Sequence, residues 1–364
     1  MAEDPIDIPS AIALIFSEHS PERLIANLHS RVESFMFQGH TIVASMTDKV
    51  IPNNCYVVSP YALLIRYSSV ELHKIDNGVI RSLVMILIAT VSMVVRMLSV
   101  DKIQIINNYL LSTNIFLPAW DTLDIRELTR VAIARHPDHA LAIRSLNGVQ
   151  HCHILSVLSR NNWKPVVTRQ VYLQRKNAPK RRDSVRDSAL LQSSRYVFVD
   201  PEITELLHFK KAEDLYGQLY LTKYTEENIQ YTALYLRELY VRGVLHLKLL
   251  KDVHSGEFVG VIGLVGDGQI VTAPIVGYQA NIPPEEALYR RCLAYAVKYA
   301  QDRGLLFNMS SGAPSFKLNR GAVAEIEYMY VYTEHLSFAR RVLWRVLSWV
   351  SFSVYMPILK RFKL

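Results

Sequence analysis

Cysteine is scarce in this chain: there are three, Cys55, Cys152 and Cys292, odd in number and far apart. With no CxxC pair, neither a disulfide framework nor a thiolate metal site is expected. The usage fits a reducing compartment. The short motifs of common chemistries are missing too: no GxxxxGKS/T, no GxGxxG after a strand, no HExxH and no GxSxG. The N-terminus, MAEDPIDIPSAIALIF, opens acidic, with no basic n-region and no cleavage motif, so no signal peptide is expected. The first long apolar run is short for a membrane span. In VIRSLVMILIATVSMVVRMLSV (79–100) only 14 residues separate Arg81 from Arg96, and three of them are Ser or Thr. A spanning helix needs about 20 apolar residues. A buried core helix is expected there, with a membrane-facing one as the alternative.

What is present points to a packed protein. Half of the 364 residues are hydrophobic and 20% are charged, enough for a sizeable core and against global disorder. Forty-one Lys and Arg face 33 Asp and Glu, a net charge of +8. That balance favours anionic partners: phosphates, nucleic acid, acidic carrier proteins or anionic lipid. A mildly basic soluble protein is the plain alternative.

The first 50 residues read as helical and mixed, with PERLIANLHSRVESFMF as an amphipathic helix candidate. Residues 55–75 carry short β-rich runs. DKIQIINNYLLSTN reads as a strand entering a polar turn, followed by a helix from Thr122 to Ala134. HALAIRSLN (139–147) then reads as a strand, HCHILSVLSRNN (151–162) as a helix and KPVVTRQVYLQ (164–174) as a strand. His151 and His153 would point to different faces of that helix, so no shared metal site is expected. This alternation implies α/β or α+β packing. The stretch 175–195 breaks it, with six Lys or Arg among its first twelve residues, and reads as an exposed loop or an anion-contacting one. Two helical segments follow, the second opened by Thr225-x-x-Asn. Next come apolar runs at hairpin spacing and a well-signalled helix, PPEEALYRRCLAYAVKYAQDRG. Two strands, LLFNMSS and AEIEYMYVY, flank the polar loop NMSSGAPSFKLNRGA (308–322). The tail, LSFARRVLWRVLSWVSFSVYMPILKRFKL, interleaves tryptophans with cations, the pattern of an interfacial helix, with a core-capping helix and a C-terminal span as the alternatives. Pro357 would bend it.

The order of the second half is similar to the GNAT acyltransferase fold. More closely, PPEEALYRRCLAYAVKYAQDRGLLFNMSSGAPSFKLNRGA resembles the FemABX-related acetyltransferase branch through Ala300, Gly304, Gly312, Phe316, Lys317 and Gly321. The resemblance covers about 90 residues of the second half and is weak in the first. It implies an α/β (α+β) fold of tandem GNAT-like lobes, with mixed central sheets flanked by helices. The expected division is an N-terminal lobe at 1–174, a basic linker at 175–200, a C-terminal acyltransferase lobe at 201–340 and an apolar, basic helix at 341–364.

Such enzymes align an amine with a thioester or ester carbonyl, stabilise the oxyanion and remove a proton. The expected catalytic residues are Lys317, offering its ammonium to a phosphate or the oxyanion, Glu325 or Glu327 as base, and Tyr328 as acid. Glu325 and Glu327 share one strand face, and the tyrosine stripe also reads as packing. Substrate contacts are expected from Asn308, Ser310, Ser311, Phe316 and Arg320, with backbone amides around Ser310–Gly312 as further donors. The stretch GYQANIPPEEA departs from the usual pyrophosphate loop, because Pro283 and Pro284 supply no N–H. Donor phosphates are therefore expected elsewhere, at Lys180, Arg181 and Arg182.

No permanent cofactor and no metal are expected. The co-substrate is acyl-CoA or an acyl carrier thioester, and the acceptor is an amine of a small molecule, peptide or lipid precursor. The apolar segments favour a long acyl chain. A cytoplasmic protein, peripheral at the inner face of the membrane through 342–364, is expected. Two alternatives stay open: an aminoacyl-tRNA-dependent FemABX-type transferase, and a non-catalytic membrane-associated binding protein on a GNAT scaffold.

Overall fold

The computed structural model describes residues 6–66, 78–179, 181–221 and 225–362. Along the chain, α1 (Ile8–Glu18) and the short α2 (Pro21–Leu24) precede a hairpin of β1 (Arg31–Phe37) and β2 (His40–Thr47). The amphipathic helix expected from Pro21 to Phe37 is therefore wrong. Gln38 and Gly39, both at positive φ, make a two-residue turn that sets Phe37 opposite His40, and the alternating side chains of β1 suit a strand at the sheet edge. Residues 55–66 form turns and one helical turn rather than strands. The remaining β-rich expectation, from residue 67 on, lies outside the described residues.

Next come α3 (Gly78–Met97), β3 (Ile103–Ile106), α4 (Ile125–Arg135), β4 (Ala140–Asn147), α5 (Cys152–Arg160) and β5 (Lys164–Gln174). Asp124 starts α4 by accepting the amide of Glu127 at 3.1 Å. The basic stretch is not a loop throughout: it holds α6 (Arg182–Leu190), followed by β6 (Tyr196–Val199). Then come α7 (Leu206–Tyr220) and α8 (Ala233–Val241). The cap of α8 is Thr232, not Thr225, because the Thr232 hydroxyl accepts the amide of Tyr235. The meander β7 (His246–Asp252), β8 (Phe258–Gly266) and β9 (Ile270–Tyr278) leads to α9 (Leu288–Asp302), β10 (Leu306–Asn308), α10 (Pro314–Leu318) and β11 (Val323–Tyr332). The chain closes with α11 (Phe338–Val350) and α12 (Met356–Phe362), joined by a wider π turn at Ser351–Tyr355. That turn ends two residues before Pro357, whose missing N–H breaks the regular ladder.

One eleven-stranded mixed sheet runs β1-β2-β3-β4-β11-β5-β10-β9-β8-β7-β6. Its two halves share one grammar. In the first, β1, β2 and β3 meander, β3 pairs parallel with β4, and an antiparallel strand closes it. In the second, β7, β8 and β9 meander, β9 pairs parallel with β10, and an antiparallel strand closes it. The closing strands are exchanged: β11 closes the first half and β5 the second. They pair with each other from Val323–Leu173 to Val331–Lys164, which fuses the halves. The fold is thus a mixed α/β sheet flanked by helices, with an apolar C-terminal helix.

The sheet buries a core on both faces. Over the second half, α7 and α8 pack on one face and α9 on the other. Over the first half, α4 and α5 cover Ile106, Leu141 and Ile143, while α3 and α11 cover Ile103, Ile105 and Ala142. The expectation of a buried core helix at 79–100 fails over much of α3. Val95 is buried, but Met85, Ile86, Met93, Val94 and Met97 are exposed.

Candidate active site

The exchange of β5 and β11 brings polar residues from distant parts of the chain to one seam. Arg169 on β5 faces Glu327 on β11 as a direct cross-strand pair. Its Nε donates to Glu327 Oε1 at 2.7 Å and its Nη2 to Oε2 at 3.2 Å. Nη2 also donates to Thr113 Oγ1 at 2.9 Å, and Thr113 donates in turn to Ser310 Oγ. Glu327 is buried. A buried carboxylate held on both oxygens by a guanidinium is a counter-charge and not a free base. That removes it from the role expected of it. Glu325 sits half-buried two residues away on the same strand, and Tyr328 stacks on Phe352 of the π turn with ring centroids 5.9 Å apart. Tyr328 is packing for the C-terminal helix.

The polar loop after β10 is organised by Lys317. The short α10 buries this lysine, and its Nζ donates to three carbonyls: Met309 at 2.6 Å, Ser310 at 3.2 Å and Ser311 at 2.7 Å. Three acceptors use all three protons of an ammonium. Lys317 therefore does not reach a phosphate or an oxyanion itself, contrary to the expectation; it acts through the loop. Burial, reinforced by the Arg169 guanidinium, pushes it down to about 7 from an ordinary 10.5.

Gathering these carbonyls has a consequence for the amides. All peptide bonds here are trans, so each N–H points opposite to the carbonyl of its own peptide unit. The amides of Ser311 and Gly312 belong to the units whose carbonyls Lys317 holds, and so face away from it. Neither makes a hydrogen bond among the described residues. Ser310 and Gly312 adopt φ of 57° and 81°, a left-handed turn that keeps the two amides exposed as a donor pair. Ser310, Ser311, Gly312 and Lys317 line a cavity of about 120 Å³, together with Arg169 and a group of tyrosines that includes Tyr216 and Tyr289.

The other expected residues divide. Asn308 is buried beneath the loop; its Oδ1 accepts the Ser310 amide and its Nδ2 donates to Gln150. It shapes the loop and does not line the cavity. Arg320 and Phe316 turn away from the cavity. The Arg320 guanidinium stacks over the Phe316 ring, and its Nε donates to Asp187 of α6 at 2.5 Å. Asp187 also holds Arg290 of α9, so this ion-pair node explains why the basic stretch folds as a helix. Arg181 and Arg182 are exposed at its start, and Lys180 lies outside the described residues.

Sequence reasoning missed Arg169, Thr113, Gln150 and the cavity tyrosines. One signal was available: Thr168-Arg169-Gln170 interrupts an otherwise apolar strand, where a charge needs a partner. Glu18, His19 and Glu238 bring potential metal-ligand atoms within 4.8 Å of one another. Arg242 already bridges Glu18 and Glu238, and none of these residues lines the cavity. A more open depression of about 340 Å³, lined by His246, Tyr299 and Arg303, contains none of the expected residues.

No protein-family model and no curated protein match this sequence. Solved structures with a similar arrangement include FemX, at 9% identity over 89% of this chain and 91% of that one, with a TM-score of 0.47. The L-PGS structure from Bacillus licheniformis is similar at 12% identity over 67% of this chain and 81% of that one, with a TM-score of 0.44. A GCN5-related N-acetyltransferase from Kribbella flavida is similar at 14% identity over 63% and 79%, with a TM-score of 0.33. GNAT acetyltransferases and FemX are thus among the structures this fold resembles. At these scores none of the likenesses assigns an activity.

Proposed function

We propose that this protein is an acyl or aminoacyl transferase that moves an acyl group from an activated donor to an amine by direct attack at the cavity beside Ser311 and Gly312. The observation that supports this reading is a pair of backbone amides, of Ser311 and Gly312, that face away from Lys317 without partners among the described residues, on residues that line the cavity. In such a reaction the amine lone pair attacks the acyl carbon and the carbonyl electrons move onto oxygen, which the two amides receive. Collapse of the intermediate expels the donor's leaving group, a thiolate from a thioester or the ribose oxygen from a charged tRNA, and the proton lost by the amine ends on that sulfur or oxygen.

Charge supports an anionic donor. Two buried cations, Arg144 and Lys317, and the half-buried Arg169 lie at the seam, and Arg169 is paired with Glu327. Arg144 donates to the Ser112 carbonyl and to Asn108. Acyl-CoA and an acyl carrier thioester fit that surplus, with the exposed Arg181 and Arg182 available for donor phosphates or a carrier surface. A charged tRNA fits it as well and is the second reading. The cavity argues against the long acyl chain expected earlier: about 120 Å³ is smaller than the ~150 Å³ that holds a benzene. A short acyl or an aminoacyl group fits better.

The test is turnover with acyl-CoA, acyl carrier thioesters and charged tRNA against a panel of amines, followed by product mass. Lys317→Met keeps the length and loses the three bonds. It should lower kcat at least about 100-fold, the usual effect of disordering oxyanion donors, while Lys317→Arg restores part of the activity. Wild-type turnover by Lys317→Met defeats the assignment, and no turnover with any donor favours a binding protein.

A further inference from the structure

Two helices that the proposed chemistry does not use cover one face of the first half-sheet. Val95 of α3 and Leu343 and Trp344 of α11 close over Ile103 and Ile105 of β3, Ala142 of β4 and Val331 of β11. Because both helices lie on the same sheet face, their outer sides face the same way. Those outer sides are apolar. Met85, Met93 and Met97 are 55%, 59% and 76% exposed on α3, and Phe338, Val346 and Trp349 are 71%, 50% and 66% exposed on α11. A patch of this kind marks an interaction surface.

The charge pattern identifies the occupant. Segments 78–97 and 338–361 contain no Asp or Glu, although the chain has 33; they contain seven Lys or Arg. Arg345 at 56% exposure sits on α11 with only a loose contact to Glu334, and Lys360 and Arg361 are exposed at the end of α12. Apolar side chains on helices whose own charges are all cationic, with Glu334 beside Arg341 and Arg345 as the acidic neighbour, suit an anionic bilayer surface, where the apolar atoms enter the acyl boundary and the cations meet headgroups. The helix from Phe338 to Arg361 is long and apolar enough to cross a membrane, but it is fastened along its length. The Val167 amide donates to Ser351 Oγ at 3.0 Å and Ser348 Oγ to the Pro165 carbonyl at 2.6 Å, while Trp344 and Leu359 are buried. Crossing would tear these contacts out.

We propose that α3 and α11–α12 form one two-helix platform that lays this protein flat on anionic lipid. The platform does not depend on the transferase reading. Its test is sedimentation of the full chain with vesicles of phosphatidylcholine alone and of phosphatidylcholine with phosphatidylglycerol. Binding is expected only with the anionic lipid and should weaken as salt is added. Two variant pairs separate the helices: Met93→Glu with Met97→Glu, and Phe338→Glu with Trp349→Glu. These positions are exposed, so thermal unfolding should stay cooperative, and each pair should cut vesicle binding at least about tenfold, since charges are costly in the acyl boundary. Wild-type binding by the α3 pair overturns the platform and leaves the C-terminal helix alone as the contact. Binding to neither vesicle overturns both. If the full chain is instead a dimer that either variant pair dissociates, the face belongs to a second copy and the lipid proposal fails.

Discussion

Asn147 and Asn308 end equivalent strands, β4 and β10, in the two halves of the sheet, and each opens a polar loop that leads into a helix. Both are buried, and both donate to Gln150 Oε1, at 2.6 and 2.9 Å. Beyond that the loops diverge. In the first, Asn147 Oδ1 accepts the amides of Val149 and Gln150, and the His151 amide returns to the Asn147 carbonyl. His151 Nδ1 accepts the Asn147 amide. This loop consumes its own donors. In the second, a cation gathers carbonyls and leaves the Ser311 and Gly312 amides without partners among the described residues. A neutral acceptor closes one loop and a buried ammonium opens the other. The difference shows how two copies of one local design become, respectively, a structural joint and a candidate site.

The largest effect on this comparison is expected from pH. Burial pushes His151 down to about 3 from an ordinary 6.5. Unfolded chains therefore bind a proton below about 6.5 that the folded protein refuses until about 3, and stability falls as pH drops through that window. His151→Gln keeps an acceptor without the titration. It should flatten the acid limb of denaturant-measured stability by close to one proton; an unchanged limb would show that His151 is not the group responsible. Lys317 titrates on the other side. With its folded value lowered to about 7, the unfolded chain binds the extra proton between about 7 and 10.5, so stability rises with pH there. Below about 7 both states are protonated and the group adds no slope.

Much of this comparison's frame was visible in the sequence, and its content was not. Strands 139–147 and 164–174 follow from apolar runs and turn residues, and so does the polar loop after Asn308, though α10 at Pro314–Leu318 makes part of it helical; Lys317 stood out as a lone cation among small residues. Its role did not, because three carbonyls converging on one ammonium depend on the left-handed turn at Ser310 and Gly312. Arg169, Thr113, Gln150 and Glu327 meet only because β5 and β11 exchange halves. Sequence spacing carries no record of that exchange. The hairpin at 31–47 was misread as helix for a more ordinary reason: VESFMF satisfies both periodicities over so short a run, and the turn at Gln38-Gly39 decides between them.

An intermediate effect separates the two asparagines. Asn147→Ala strands two amide donors, those of Val149 and Gln150, whereas Asn308→Ala strands one, that of Ser310. These amides are part-buried, so the low end of the about 1–3 kcal/mol for a group left unsatisfied applies, and Asn147→Ala should cost roughly 2 kcal/mol and Asn308→Ala roughly 1 kcal/mol in urea unfolding. Activity should rank the other way, because only the second loop lines the cavity. Equal losses of stability together with equal losses of turnover would erase the distinction between joint and site.

The smallest effect lies at two glycines, one in each loop. Gly312 sits at φ 81° with open space around a would-be Cβ, while Gly148 has no left-handed φ and its Cβ would meet only Glu325 Oε1 at 3.4 Å. Gly312→Ala therefore meets a backbone penalty without a clash and should cost about 1 kcal/mol. Gly148→Ala gains from a less flexible unfolded chain and loses a little to the Glu325 contact, leaving a net change within about 0.5 kcal/mol. Denaturant midpoints of the two variants, measured side by side, test whether the left-handed turn that bares the amides is a property of the open loop alone. A Gly312→Ala protein as stable as the wild type would mean that the turn can relax without cost, and the outward amides would then no longer distinguish this loop from its counterpart.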